Sequence, residues 1–243
     1  PALFAGGGRR EVGHTCAMPH RLPLFPLNTV LFPGASLPLR VFEERYRRLM
    51  ADVLKEPEDP AAGTFGVVGI ELGHEAGDAS APQLAQVGCM AELRTARRNT
   101  DGSFDAVVEG GSRFRLDAVA EPGDEHGYMR VETTFLPDEV GEGADGYAER
   151  VGRLFGVYCE RLRGLGVSAD PQREFPSAPL PLSYAVAAAM LVDQADKQRL
   201  LEAGHAAERL QLAADLLRRE NRVLASLPVL PAGRLLQTEV CLN

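Results

Sequence analysis

The stretch at residues 22–50, LPLFPLNTVLFPGASLPLRVFEERYRRLM, sets Pro23, Pro26, Pro33 and Pro38 among short apolar runs and then turns charged. Proline fixes φ and removes a backbone donor, so these runs read as short or edge strands and not as helix. Pro33-Gly34 is a turn signal between strand-like residues 29–32 and 36–40. From Phe42 onward the pattern changes. Phe42, Tyr46, Leu49 and Val53 recur at three- and four-residue spacing, one apolar face of a helix over residues 43–55.

Residues 20–136 read as mostly β with that one helix. FGVVGIEL at 65–72 is a β-rich run, and its Gly69 suggests a bulge or a close backbone approach. Residues 73–82 are a loop and 86–94 the next strand. Asn99-Thr100-Asp101-Gly102 supplies a hairpin turn, since Asp-Gly readily takes positive φ. Residues 103–108 return, Gly110-Gly111 breaks the strand, 113–120 continue, and 128–135 close the region. Phe114 reads as core, with Arg113 and Arg115 facing out. Short strands at roughly 8–12-residue spacing predict a barrel or sandwich.

Residues 137–146 are an acidic, glycine-bearing linker. Helical periodicity then takes over through 147–226. Val151, Leu154, Phe155, Tyr158 and Leu162 line one face, and Gly164 and Gly166 end that helix. Residues 170–181 are a proline-rich connection. Ser183 suits the N-cap of a helix over 184–192. A short turn over 196–202 opens at Asp193 or Ala195. His205 lies near the N-cap of a long amphipathic helix to about residue 225, and Pro228 and Pro231 stop it. Residues 227–243 are a C-terminal tail.

Composition is that of a globular chain: 243 residues, 45% hydrophobic and 25% charged. No apolar run approaches the ~20 residues that span a bilayer. Residues 1–17 lack a basic start followed by an apolar core, so no signal peptide is read there and a cytoplasmic location is expected. Residues 1–19 read as a disordered extension, and Met18 suggests a natural start. The net charge of −8 argues against nucleic acid as the main partner. Cys16, Cys89, Cys159 and Cys241 form no Cys-x-x-Cys pair, so a structural zinc site is not expected and reduced thiols are. His14, Cys16 and His20 have metal-compatible spacing but fall in or beside the extension.

The opening stretch resembles the Lon-protease N-terminal, substrate-binding domain. That family begins with a Leu-Pro-Leu-Phe-Pro-Leu run, then Val-Leu-Phe-Pro-Gly, Pro-Leu-Arg-Val-Phe-Glu and Arg-Tyr, matched here at residues 22–27, 30–34, 38–43 and 45–46. Glycine-bearing strands at Gly66, Gly88 and Gly111 continue the likeness, as do the Lys-Gln-x-Leu-Leu-Glu element at 197–202 and Arg209-Leu210. The resemblance implies an α+β fold, a PUA-like β pseudo-barrel followed by an α-helical bundle. Members couple this domain to ATPase and peptidase modules, and a stand-alone form without them is expected here.

The chemistry of those modules is missing from this sequence. A Walker A loop needs Gly-Lys before Ser or Thr, and the two lysines, Lys55 and Lys197, follow Leu54 and Asp196. A Ser-Lys dyad needs a lysine in an apolar setting, whereas Lys55 reads as a solvated helix end and Lys197 as a surface turn. Glu43-Glu44 and the Glu56, Glu58, Asp59 group read as solvated charge, and His74, His126 and His205 as loop or cap residues. The chain is therefore expected to be no enzyme and to take no cofactor.

What remains is a binding surface. Phe32, Pro33, Arg40, Phe42, Arg45 and Tyr46 cluster where strand turns into helix, and aromatics beside arginines are typical interface anchors. Phe42 and Tyr46 could equally pack the helix on the barrel. The expected role is non-catalytic recognition of polypeptide clients, unfolded segments among them, in protein quality control. A separate ATP-dependent protease is the expected partner. The groove between the two regions is the expected place, with apolar contacts and strand addition as the mode. The alternative is an RNA-binding PUA-like module using Arg94, Arg97 and Arg98 beside the hairpin turn.

Overall fold

The structure is a computed structural model, and it describes residues 20–55, 63–72, 83–119, 127–167 and 175–226. The expectations for residues 1–19, the loop at 73–82, His74, His126, the acidic group at 56–59 and the tail at 227–243 lie outside the described residues. Those described form an antiparallel-dominated sheet and five helices.

The strands are β1 (His20–Leu27), β2 (Ser36–Val41), β3 (Thr64–Leu72), β4 (Gln83–Leu84), β5 (Val87–Arg98), β6 (Phe104–Val119) and β7 (Arg130–Phe135), with α1 (Glu44–Lys55) between β2 and β3. Strand β1 pairs antiparallel with β7 through residues 20–23 and parallel with β3 through residues 24–27. Strands β3, β5, β6 and β7 pair in succession, so the sheet closes on itself. Among the described residues each half of β1 forms a ladder with one strand, β7 or β3, which is how a strand carrying Pro23 and Pro26 is tolerated. Strand β2 lies outside this ring and pairs with the first half of β6.

The sequence at 29–32 is not a strand; β1 ends earlier, and 28–35 cross to β2 as a turn. Gly110-Gly111 does not break β6, which runs unbroken for 16 residues. Those glycines serve a crossing instead: a Cβ on Gly110 would lie 2.0 Å from the Phe32 carbonyl oxygen. The turn is stitched there by Gly34 N–H to the Gly110 carbonyl at 2.7 Å and Gly110 N–H to the Ala35 carbonyl at 2.9 Å. Inside the barrel, Phe114 is fully buried, and a Cβ on Gly66 or Gly88 would strike its ring at 2.8 or 2.5 Å. Two glycines thus make the space that one phenyl fills.

The helices are α2 (Ala144–Gly164), α3 (Pro179–Ala189), α4 (Gln194–Glu202) and α5 (Ala206–Ser226). The face expected on α2 is the buried one: Val151, Phe155, Tyr158 and Leu162 pack with Leu210, Ala213 and Leu217 of α5. Helix α3 starts earlier than expected, with proline at its first position, and Ser183 is an interior residue, not a cap. Its hydroxyl donates to the Leu180 carbonyl at 2.7 Å and accepts from Arg209 at 3.1 Å. Asp193 caps α4 by accepting from Asp196 N–H at 2.8 Å. His205 caps α5 through Nδ1, which accepts from Glu208 N–H at 3.1 Å. The segment after β7 is tied down: the Glu139 and Val140 carbonyls take the N–H groups of Ala206 and Ala207, donors the first turn of α5 leaves unmet.

Candidate functional site

The six residues expected to share one surface separate into two. Phe32 is 1% exposed and packs in the helical core with Tyr158, Tyr184 and Met190, so the barrel's own turn plugs the bundle. Pro33 beside it lines a groove of about 370 Å³ between the Gly34-Ala35 turn, Asp138 and α3, walled by Phe175, Leu180, Pro181 and Tyr184. Of the six, Pro33 alone lines this groove, with Phe32 buried behind it in the helical core.

Arg40, Phe42 and Tyr46 line a different depression, of about 220 Å³, between β1, β2 and the start of α1. Its walls are Phe25, Pro26 and Leu27 on one side and Pro38, Leu39 and Val41 on the other. Phe42 is 64% exposed, a phenyl held largely in water. Tyr46 is 4% exposed, with its ring 4.2 Å from that of Phe25, and belongs to the core. Arg45 bridges the two roles: its Nε donates to Glu43 at 2.9 Å and its guanidinium lies 4.6 Å over the Tyr46 ring. The spacing that puts Phe42 and Tyr46 on one face fails at Phe42 because α1 begins at Glu44, two residues past it.

Two of the three arginines of the RNA-binding alternative, Arg94 and Arg97, are already paired with carboxylates. Arg94 meets Glu109 at 2.8 Å and Glu92 at 3.0 Å, and Arg97 meets Asp105 at 3.2 Å. Arg98 leans 5.9 Å over the Phe104 ring. A patch so neutralised offers phosphates little field.

Two residues lie where the sequence reading did not put them. Arg113 faces inward, 2% exposed, not outward. Both faces of β6 are covered there, Phe114 by the barrel interior and Arg113 by the α4–α5 corner, so strand alternation gives no surface side. Arg113 donates to the carbonyls of Leu201 at 2.8 Å, Ala203 at 2.7 Å and Pro137 at 3.2 Å. Arg209, also buried, donates to Leu200 and Ala203 and lies 4.0 Å over the Tyr184 ring. The Tyr184 hydroxyl donates to Asp138, and burial pushes its pKa up. Burial also pulls Arg209 down, to about 10. These side chains tie bundle to barrel, and two of them, Asp138 and Tyr184, line the junction groove.

Lys197 is likewise no surface residue. Its ammonium donates to the carbonyls of Ala187 at 2.7 Å and Ala188 at 2.6 Å, finishing α3, and sits 5.6 Å from the Phe32 ring. Burial lowers its pKa to about 8. An amine so depressed can be a nucleophile, but here it is spent on the end of a helix. Lys55 is exposed and paired with Asp52. Burial raises the Cys89 thiol well above its ordinary value, which leaves it unreactive. Among the described residues no cluster of three or more His, Cys, Asp or Glu could hold a metal. No helix among them is long and apolar enough to cross a membrane.

The family model for the ATP-dependent protease La (LON) substrate-binding domain matches residues 21–219. Lon protease 2 of Syntrophobacter fumaroxidans is 27% identical over 187 residues, 76% of this chain and 22% of that protein. The Lon protease of Anaeromyxobacter dehalogenans is 28% identical over 213 residues, 85% of this chain and 24% of that protein. The chain thus spans less than a quarter of the length of these relatives. Among solved structures, the N-terminal domain of a Mycobacterium avium complex Lon protease superposes with a TM-score of 0.61 at 18% identity, covering 82% of this chain and 98% of that one. A Lon N-terminal domain protein from Xanthomonas campestris superposes at 0.53 and 23% identity, covering 86% and 99%. These likenesses show the α+β fold, a PUA-like β pseudo-barrel followed by a helical bundle.

Proposed function

The chain belongs to the LON substrate-binding domain family, and from that premise we propose that it is a non-catalytic recognition module for polypeptide segments in protein quality control. It presents clients to an ATP-dependent protease and does no chemistry itself. The depression beside Phe42 is its contact surface. The observation that carries this is the exposure of Phe42, 64%, in a hollow walled by Phe25, Leu27, Leu39 and Val41. Exposed aromatics in apolar hollows are what protein ligands anchor on. The junction groove around Pro33 and Tyr184 is the larger concavity, but it holds no such unburied anchor from the barrel.

Fluorescence anisotropy with a labelled extended apolar peptide tests the reading, at low and high salt. Binding should change little with salt and weaken about tenfold or more in Phe42→Ala, the loss typical of a hot-spot aromatic. Arg45→Glu should alter association without unfolding the domain. Single-stranded RNA should give no signal. Peptide binding indifferent to Phe42→Ala would overturn the placement. Tight, salt-steep RNA binding lost in Arg97→Glu would overturn the function. The purified chain should neither turn over ATP nor cleave casein.

A further inference from the structure

We propose that the outer edge of β2 accepts an extended polypeptide as an added strand, with one of its side chains seated in the depression beside Phe42. This deepens the polypeptide-binding reading and rests on it.

Among the described residues β2 pairs with β6 alone, so its second edge has no strand partner. The direction of its backbone groups follows from the register. Gly110 N–H donates to the Ala35 carbonyl, which makes residues 35 and 110 a hydrogen-bonded pair. Alternation along an antiparallel ladder then turns Leu37, Leu39 and Val41 toward β6. Ser36, Pro38 and Arg40 direct their backbone groups the other way. Burial follows the same alternation, with Ser36, Pro38 and Arg40 exposed. Pro38 agrees independently, because a residue without an N–H sits in a ladder only where no donor is needed.

The open edge therefore offers three acceptors, on Ser36, Pro38 and Arg40, and two donors, on Ser36 and Arg40. That row of acceptors and donors is complementary to an extended polypeptide backbone. Its length, six residues at about 3.3 Å each, suits a segment of five or six residues. The hollow of about 220 Å³ lies along this edge, with Pro38, Leu39, Arg40 and Val41 as one wall. A strand added to β2 would thus pass over the hollow with Phe42 at its end.

The same pattern disfavours a second copy of this chain as the occupant. Two β2 edges paired antiparallel about their centre would set Pro38 against Pro38. Both bonds of that pair would be missing, which is how edge prolines block self-pairing. A foreign segment can supply an N–H to the Pro38 carbonyl and loses one bond, not two.

The test is an N-methyl scan of a labelled apolar hexapeptide, read by anisotropy against the wild-type protein. Strand addition expects a period of two: methylation at alternate positions weakens binding about tenfold, and methylation between them changes it little. Pro38→Ala, which restores an outward donor, should tighten binding. Arg40→Pro, which removes one, should weaken it while circular dichroism stays unchanged. Uniform tolerance of N-methylation, with binding still lost in Phe42→Ala, would overturn strand addition and leave recognition at Phe42 standing. Failure of every unmethylated apolar peptide to bind would overturn both.

Discussion

Arg113, in the middle of β6, donates a 2.8 Å hydrogen bond to the carbonyl oxygen of Leu201, in the last turn of α4. A strand side chain therefore supplies the donor that a helix end lacks, 88 residues further along the chain. The same guanidinium reaches the Ala203 carbonyl, which Arg209 also serves, and that of the exposed Pro137. Arg113→Met should cost about 1–3 kcal/mol, since the buried Leu201 carbonyl loses this donor while Ala203 keeps Arg209. Arg113→Lys should recover little, because an ammonium cannot fork. Urea denaturation measures both, and a loss below about 1 kcal/mol would mean that the carbonyls find other donors.

Lys197 gives the fold a dependence on alkaline pH. Its folded pKa is about 8 against an ordinary 10.5, so the unfolded chain holds a proton that the folded chain sheds between those values. Stability attributable to Lys197 should therefore rise as pH climbs from about 8 to 10.5 and be flat below 8. The full span is about 3 kcal/mol at 1.36 kcal/mol per pH unit. Tyrosines titrate nearby, so the quantity to measure is the difference between wild type and Lys197→Met across that window. Equal pH slopes for the two proteins would contradict the burial of the amine.

Phe42 and Tyr46, four residues apart, should part company when truncated. Phe42→Ala removes an exposed ring and should leave stability within about 0.5 kcal/mol. Tyr46→Ala removes a ring packed on Phe25 and should cost about 3–5 kcal/mol. Thermal unfolding of the two variants side by side decides it, and a costly Phe42→Ala would show the phenyl buried in solution.

Two glycine substitutions should have opposite signs. Gly110→Ala drives a methyl into the Phe32 carbonyl, backbone that cannot step aside, and should cost about 3 kcal/mol or more. Gly156→Ala lies inside α2 with nothing within 4 Å of the new methyl, and should stabilise by about 0.5–1 kcal/mol. Denaturant midpoints for the pair check both signs.

Most of the fold was legible because its signals are local. The prolines at 23, 26, 33 and 38, the Asp101-Gly102 turn and the apolar faces of α2 and α5 each act through nearest neighbours. Gly102 takes a φ of 81°, as that turn requires. The errors share a cause in layers that meet far along the chain. Arg113 and Lys197 are polar types whose burial depends on a helix end brought from elsewhere, and no spacing in the sequence records that. Gly110-Gly111 looked like a break because a crossing turn, not a bend, explains it. The candidate site was half legible. Arg40, Phe42 and Tyr46 do border one hollow, whereas Phe32 and Pro33, next to them in sequence, are carried to the other face by the turn at Gly34.

The closure of the barrel also sets a timetable for synthesis. Strand β1 leaves the ribosome first, yet its partners are β3 and, at the far end of the barrel, β7. Until Phe135 has emerged, the seam between β1 and β7 stays open and exposes apolar strands to other nascent chains. Over that interval, from β1 to Phe135, the chain is itself an open segment with its first strand unpaired along β7.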